Sequence, residues 1–263
     1  MGLEDENRAY WNRRAESYAH INYAQLHGDH AHSWEHALLD PLHDALGIGD
    51  PEEMHILDIG CGPGIFTVLL ANEGFRVTAA DYTPGMLEQA RKATRHRRSL
   101  VDIVRADAQD LPFPDATFDA VVSRNLTWNL PHPERAYAEW ARVLAPGGVI
   151  VNFDANWYRH LVDEEALRAY EHDRELTAQL GMPEECEIEG YEAMDEIARR
   201  VPLTTVLRPA WDEHVLRDLG LAVEITHDIG QTVWNADELV NFASTPLFRI
   251  VARKPATDDP AGP

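Results

Sequence analysis

From residue 55 onward the sequence alternates between two kinds of segment. Short apolar runs ("MHILDIG", "RVTAADY", "VDIVRAD", "FDAVVSRN", "GGVIVNFDA") are separated by amphipathic stretches, such as the one carrying Tyr137, Trp140, Val143 and Leu144 at helical spacing. Strands joined by helices of this length pair in parallel, because a helical crossover returns the chain to the same end of the sheet. Two further alternating runs, "LAVEITHDIG" and "FRIVARK", come late in the chain. The expected fold is therefore α/β: a doubly wound, mostly parallel sheet of seven strands, with helices ahead of it and a helical cap inserted into it.

The first strand ends in "ILDIGCGPG", Ile56 to Gly64, with glycines at every second position. Glycine lets the backbone turn sharply and approach a ligand with no Cβ in the way, and the helix start that follows offers free N–H groups. A dinucleotide fingerprint would need a third glycine where Ile65 stands, so that reading fails. Asp58 sits inside the strand end, a position awkward against a pyrophosphate and useful against a cation. Asp81, at the end of the next strand, suits two ribose hydroxyls and by itself does not separate one adenosine-containing cofactor from another.

Charge narrows the partners. In 263 residues, 45 acids face 23 bases, a formal net charge of −22. Gripping phosphate backbones or anionic membranes takes clustered Lys and Arg, so neither nucleic acid nor a membrane is an expected partner. The single basic knot, Arg91 to Ser99, reads as the solvated end of a helix. Cys61 and Cys186 form no C-x-x-C pattern, and "MGLEDENRAYWNRR" lacks the apolar core of a secretory signal, which together point to the cytoplasm.

Four stretches, "ILDIGCGPG", "ADYTPGML", "ADAQDLPFPDATFDAVVSRN" and "RVLAPGGVIV", resemble in order and spacing the class I S-adenosylmethionine-dependent methyltransferases. The likeness is to the small-molecule branch that includes the quinone-biosynthesis enzymes. It implies a Rossmann-like methyltransferase fold, with S-adenosylmethionine as cofactor and S-adenosylhomocysteine as product. It also implies roles for individual residues. Asp58 and the loop of Gly60, Gly62 and Gly64 would sit by the methionyl end, with Arg124 near it. Asp81 would hold the ribose, Tyr82 and Met86 would flank the nucleoside, and Asp107 with the backbone of Ala108 would meet the adenine. Tyr18, in a segment like the family's N-terminal one, would close over the cofactor. Two rivals use the same fold: binding the cofactor or its product without transfer, or a rearrangement such as cyclisation.

The expected organisation is an N-terminal helical segment over the active site (1–46), a cofactor-binding α/β core (47–158) and a helical cap (159–207). A C-terminal completion of the sheet (208–254) and a disordered tail (255–263) follow. Leu161, Leu167, Tyr170, Leu176 and Leu180 predict a buried stripe in the cap. Aromatics in and beside the non-core segments, among them Tyr10, Trp11, Trp128, Trp157, Tyr158, Tyr191, Trp211 and Trp234, suit either a small aromatic or partly apolar acceptor or the packing of a lid. Asp154 divides evenly between a substrate contact and a strand-end cap. "HGDHAHSWEH" (27–36) allows a metal site, an acid–base cluster or a helix start capped by Ser33. Metal binding ranks last, since no Cys–His pattern completes a ligand set. His27 and His30 are the candidate acid–base contacts to the acceptor, and His32 and His36 are expected to be structural.

Overall fold

The structure is a computed structural model that describes residues 2–28, 31–47, 49–182 and 191–256. Two helices, α1 (Leu3–His27) and α2 (Ala31–Leu46), precede the sheet. Then come β1 (His55–Ile59), α3 (Ile65–Glu73), β2 (Arg76–Asp81), α4 (Pro84–Ala93), β3 (Val101–Arg105), β4 (Phe118–Arg124), α5 (Pro133–Val143) and β5 (Leu144–Asp154). Helices α6 (Glu164–Gln179), α7 (Tyr191–Ala198) and α8 (Ala210–Asp218) follow. The chain ends with β6 (Ala222–Thr226), α9 (Gly230–Val233), α10 (Ala236–Asn241) and β7 (Phe248–Arg253).

The seven strands lie in the order β3-β2-β1-β4-β5-β7-β6, with β7 antiparallel to both its neighbours and the other pairs parallel. Strand order reverses at β1 and β4, so the crossovers leave in opposite directions there. A crevice opens beyond the carboxyl ends of these two strands, which is where open α/β sheets take ligands. One face of the sheet is covered by a core that includes Trp34, Leu38, Leu42, Phe66 and Leu70 from α2 and α3. The other is covered by Tyr137, Trp140, Val143 and Leu216 from α5 and α8. Among the described residues no helix is long and apolar enough to cross a membrane.

Two local expectations fail. Ser33 does not cap α2, because the helix starts at Ala31 and Ser33 lies inside its first turn. The leucine stripe of the cap is also wrong: Leu167 and Leu180 are 40% and 54% exposed, while α6 buries Asp173 and Thr177. That helix docks by polar contacts. Asp173 accepts from the backbone N–H of Ser244 at 2.7 Å, Arg174 donates to Asn241, and Tyr170 stacks on His160 with ring centroids 4.0 Å apart. Residues 183–190 and 257–263, with Cys186 and most of the expected tail, lie outside the described residues.

One buried ion cluster ties the returning chain to the sheet. The Arg208 side chain is fully buried and donates to Asp154 at 2.7 Å, to Asp212 at 2.6 Å and to the Thr127 hydroxyl at 3.0 Å. The Tyr137 hydroxyl donates to Asp212, and Asn152 donates to Thr127 and Tyr137. Asp154 is thus a structural anchor at the end of β5. Removing Arg208 would strand two buried carboxylates, a change that costs about 3–5 kcal/mol. Arg208→Ala is expected to lower unfolding free energy by that amount in chemical denaturation; a loss under about 1 kcal/mol would show that the cluster is not a keystone.

Candidate active site

The glycine loop between β1 and α3 takes the conformation its sequence requires. Gly60, Gly62 and Gly64 have φ of +66°, +53° and +95°. At Gly60 a Cβ would stand 2.6 Å from Leu126 Cδ2, so a side chain there would have to displace Leu126 as well as adopt a strained dihedral. Asp81 braces the loop: its carboxylate accepts from the Gly62 N–H at 2.9 Å and from the Thr83 N–H at 2.7 Å. Burial pushes the Asp81 carboxyl up, and those two amides pull it back.

Three cavities converge here. One, of about 120 Å³, is bounded by Gly60, Asp81, Tyr82, Met86, Asp107 and Ala108, with Arg8 and Asn7 of α1 across from them. A second, of about 200 Å³, is walled by aromatics that include Tyr10, Trp34, Trp128, Trp157, Tyr158 and Trp234. Four residues, Trp11, Tyr18, Arg124 and Asn125, line both. A small recess of about 30 Å³ lies between the glycine loop, Asp58, Tyr18 and Arg124.

Asp58 is buried in that recess, where the Thr67 hydroxyl donates to it at 2.5 Å. Burial raises its pKa to about 7, against the downward pull of Thr67. Arg124, at the end of β4, lies over the Trp34 ring at 4.1 Å and donates to Gln25 at 2.8 Å. Asp107 accepts from the backbone and side chain of Gln109. Tyr82 packs beneath Arg8, whose guanidinium lies 5.0 Å from the ring centroid.

Of the residues singled out from sequence, Tyr18, Gly60, Gly62, Asp81, Tyr82, Met86, Asp107, Ala108 and Arg124 surround the 120 Å³ cavity, and Asp58 faces the recess beside it. Gly64 starts α3 and packs against Ala90 instead of facing the cavity. The histidines divide. His32 pairs with Glu35 and His36 with Asp40, both on exposed surface. His27 ends α1, but its side chain, like all of His30 and the side chain of Tyr191, lies outside the described residues. Trp211 packs on Tyr137, away from the aromatic cavity.

Sequence reading named Trp11 and Tyr18 but missed Asn7, Arg14, Asn22 and Gln25 on the same face of α1. Asn7, Trp11, Arg14, Tyr18, Asn22 and Gln25 follow one another at intervals of three or four, so a single stripe of the helix walls both large cavities. That polar–aromatic periodicity was the available signal. Asn125, held at φ +55° with its N–H donating to Phe153 at 2.8 Å, was missed because only the tertiary fold bends the chain there. Gly60→Ala is expected to destabilise the protein by more than about 1 kcal/mol, since the strained φ adds to the clash with Leu126. Thermal melting that leaves the variant unchanged would show that the loop relaxes.

Residues 57–152 match the family model for a methyltransferase domain. Over 96 residues the chain is 44% identical to the demethylmenaquinone methyltransferase of Clavibacter sepedonicus, covering 36% of this chain and 39% of that protein. A chain from the complex between the Haloferax volcanii Trm112 methyltransferase activator and a methyltransferase superposes with a TM-score of 0.60 at 21% identity, over 95% of this chain and 99% of that one. The cyclase SpnF superposes with a TM-score of 0.51 at 18% identity, over 83% and 80%. At such identities the two structures speak for the fold alone. The chain spans between 39% and 57% of the length of the curated relatives it matches.

Proposed function

We propose, from the premise that the chain carries a class I S-adenosylmethionine-dependent methyltransferase domain of the quinone-biosynthesis type, that it moves a methyl group from S-adenosylmethionine to a small organic acceptor. The observation that carries this reading is the shared wall: Trp11, Tyr18, Arg124 and Asn125 separate an acid-lined cavity from an aromatic one. A cofactor in the first and an acceptor in the second would meet only there.

The residues fit the cofactor. Asp81 has both oxygens engaged by backbone amides yet keeps lone pairs toward the cavity, enough for two ribose hydroxyls. Tyr82 and Met86 supply apolar surface for a nucleoside, with Asp107 and Ala108 beyond them. Asp58, once ionised, and Arg124 would face the recess with opposite charges, matched to the ammonium and carboxylate of a methionyl group. When bound, the cofactor supplies an activated methyl on a sulfonium. The protein then has to align an acceptor atom, and proximity and orientation are worth roughly 7–11 kcal/mol of barrier. Aromatic walls also exclude water, which would compete for the methyl. If the acceptor atom carries a proton, His27 and His30 are our candidates to take it; Gln25, two residues before His27, lines the aromatic cavity.

The fold alone leaves the chemistry open, as a cyclase on the same scaffold illustrates. Labelled S-adenosylmethionine incubated with the protein and a metabolite extract decides the matter. Label in a small product is expected; cofactor binding without label transfer would favour a non-transferring role, and no binding at all would sink the proposal.

Two predictions concern the cofactor. Asp81→Ala should weaken S-adenosylhomocysteine binding by about tenfold or more, because charge-assisted hydrogen bonds are worth about 1.5–3 kcal/mol each. An unchanged dissociation constant in calorimetry would show that the ribose lies elsewhere. Asp58 gives the second. In the free protein it holds, up to pH near 7, a proton that the unfolded chain loses near pH 4, so its contribution to stability falls as pH rises through that window. An ammonium beside it favours the ionised form. Binding at pH 6 should therefore release a proton, and affinity should rise with pH until about 7 and then level. Calorimetry in buffers of different ionisation enthalpy reads this; Asp58→Asn should abolish it, and proton uptake would contradict the assignment.

A further inference from the structure

The aromatic cavity holds an unspent cation. Arg14 lies on α1 between Trp11 and Tyr18, three residues after one and four before the other, and is 9% exposed. Its Nε and Nη1 are buried and have no hydrogen-bond partner among the described residues. A buried guanidinium without partners is costly, since desolvation is offset by nothing in the protein. Such a group persists where something else completes it.

The rest of the cavity says what that something is. Among the described residues its charged wall members are Arg14, Arg124, Arg174 and Glu238, three guanidiniums against one carboxylate in a chain whose net charge is −22. Glu238 is already engaged. It accepts from Gln25 at 2.8 Å and from the Asn235 N–H at 2.9 Å, where it closes the cap of α10. Arg174 donates to Asn241 through two nitrogens, and Arg124 stacks on Trp34. Among the described residues of the wall, neither Glu238 nor a second acid is left to neutralise Arg14. The same cavity is walled by Tyr10, Trp11, Trp128 and Tyr158, the last two stacked with centroids 4.9 Å apart. It is an aromatic chamber with an unpaired guanidinium in its wall, whose Nε and Nη1 are closed to water as the protein stands.

We propose that the acceptor is an anion: a flat, aromatic or partly apolar molecule whose carboxylate or phosphate group is gripped by Arg14. The inference rests on the reading of this cavity as the acceptor chamber. A charged N–H donor matches either oxyanion, and the exclusion of water strengthens the contact. Arg14 lines this cavity and not the one assigned to the cofactor, so it would bind acceptor without touching the nucleoside. It is also one helical turn from Trp11 and Tyr18 at the shared wall, which would hold the anionic group close to the transfer point and fix the ring's orientation.

The test uses the full chain saturated with S-adenosylhomocysteine and matched probes on one ring: benzoate, benzamide and benzylamine, the same three groups on naphthalene, and phenyl phosphate. Binding is read from quenching of the tryptophans that line the cavity. The wild-type protein is expected to bind at least one anion about tenfold or more tighter than the neutral amide on its ring, the scale of a charge-assisted hydrogen bond. Whichever of carboxylate and phosphate wins names the head group. Arg14→Met should erase that preference while changing S-adenosylhomocysteine affinity by less than about twofold, and Arg14→Lys should restore part of it. Arg14→Met should also melt no lower than wild type without ligand, because it removes an uncompensated buried charge. Amide bound as well as anion on every ring, no anion bound at all, a preference that survives Arg14→Met, or a clearly lower melting temperature would each overturn the proposal. Failure of wild-type protein to bind S-adenosylhomocysteine would instead overturn the methyl-transfer reading, since anion selectivity in the aromatic cavity is measured separately.

Discussion

Arg208 is the point from which the site is built. Its guanidinium, wholly buried, bridges Asp154 at the end of β5, Asp212 at the start of α8 and Thr127 in the turn after β4. Asp154 in turn accepts from the Trp128 N–H, and the Trp128 indole donates to the Asn125 carbonyl. Asn125 and Trp128 are cavity walls. The same charge cluster that fixes the returning chain therefore sets the turn where the two large cavities meet. Buried ion pairs are weak evidence for net stability, and their better-attested use is to specify one arrangement. Here the arrangement specified is a shared wall.

The opposite wall comes from one helix. Helix α1 reaches across the carboxyl ends of the strands, with Gly85 of α4 donating its N–H to Asn12 at 2.9 Å. A Cβ at Gly85 would approach Asn12 Oδ1 at 3.0 Å and Ala15 Cβ at 3.1 Å, so the close approach of α1 depends on a glycine in α4. With its backbone fixed there, the stripe from Asn7 to Gln25 divides its duties along the axis. Asn7 and Arg8 meet the acid-lined cavity, Trp11 and Tyr18 meet both, and Asn22 and Gln25 meet the aromatic one. Any hinge movement of α1 would open both cavities together.

The sheet and the glycine loop were legible because local chemistry determines them. Three alternate glycines after a strand admit few backbones, and Asp58 and Asp81 sit at strand ends whose position follows from the apolar runs. Arg14 was illegible for the opposite reason. It stands beside Arg13 and Glu16 in a charged helix, and only its spacing from Trp11 and Tyr18 sets it apart from the exposed Arg13. The cap misled in a related way: Leu167 and Leu180 have core spacing, but α6 meets its neighbours through Asp173, Arg174 and Thr177, a polar face that a hydrophobic period cannot reveal. Asp154 looked like a cap or a contact because its partner, Arg208, is 54 residues away.

Burial supplies both candidate recognition elements, acting in opposite directions on groups of opposite charge. Burial raises the Asp58 carboxyl to about 7, so below that pH its charge appears when a cation arrives. Arg14 carries a guanidinium, a permanent cation. It remains in the wall as an unmet demand for an anion. A site made of one neutralisable acid and one permanent cation is asymmetric: without ligands, only the arginine carries its full desolvation cost. An oxyanion in the chamber would offset that cost, whereas a neutral occupant would leave it in place.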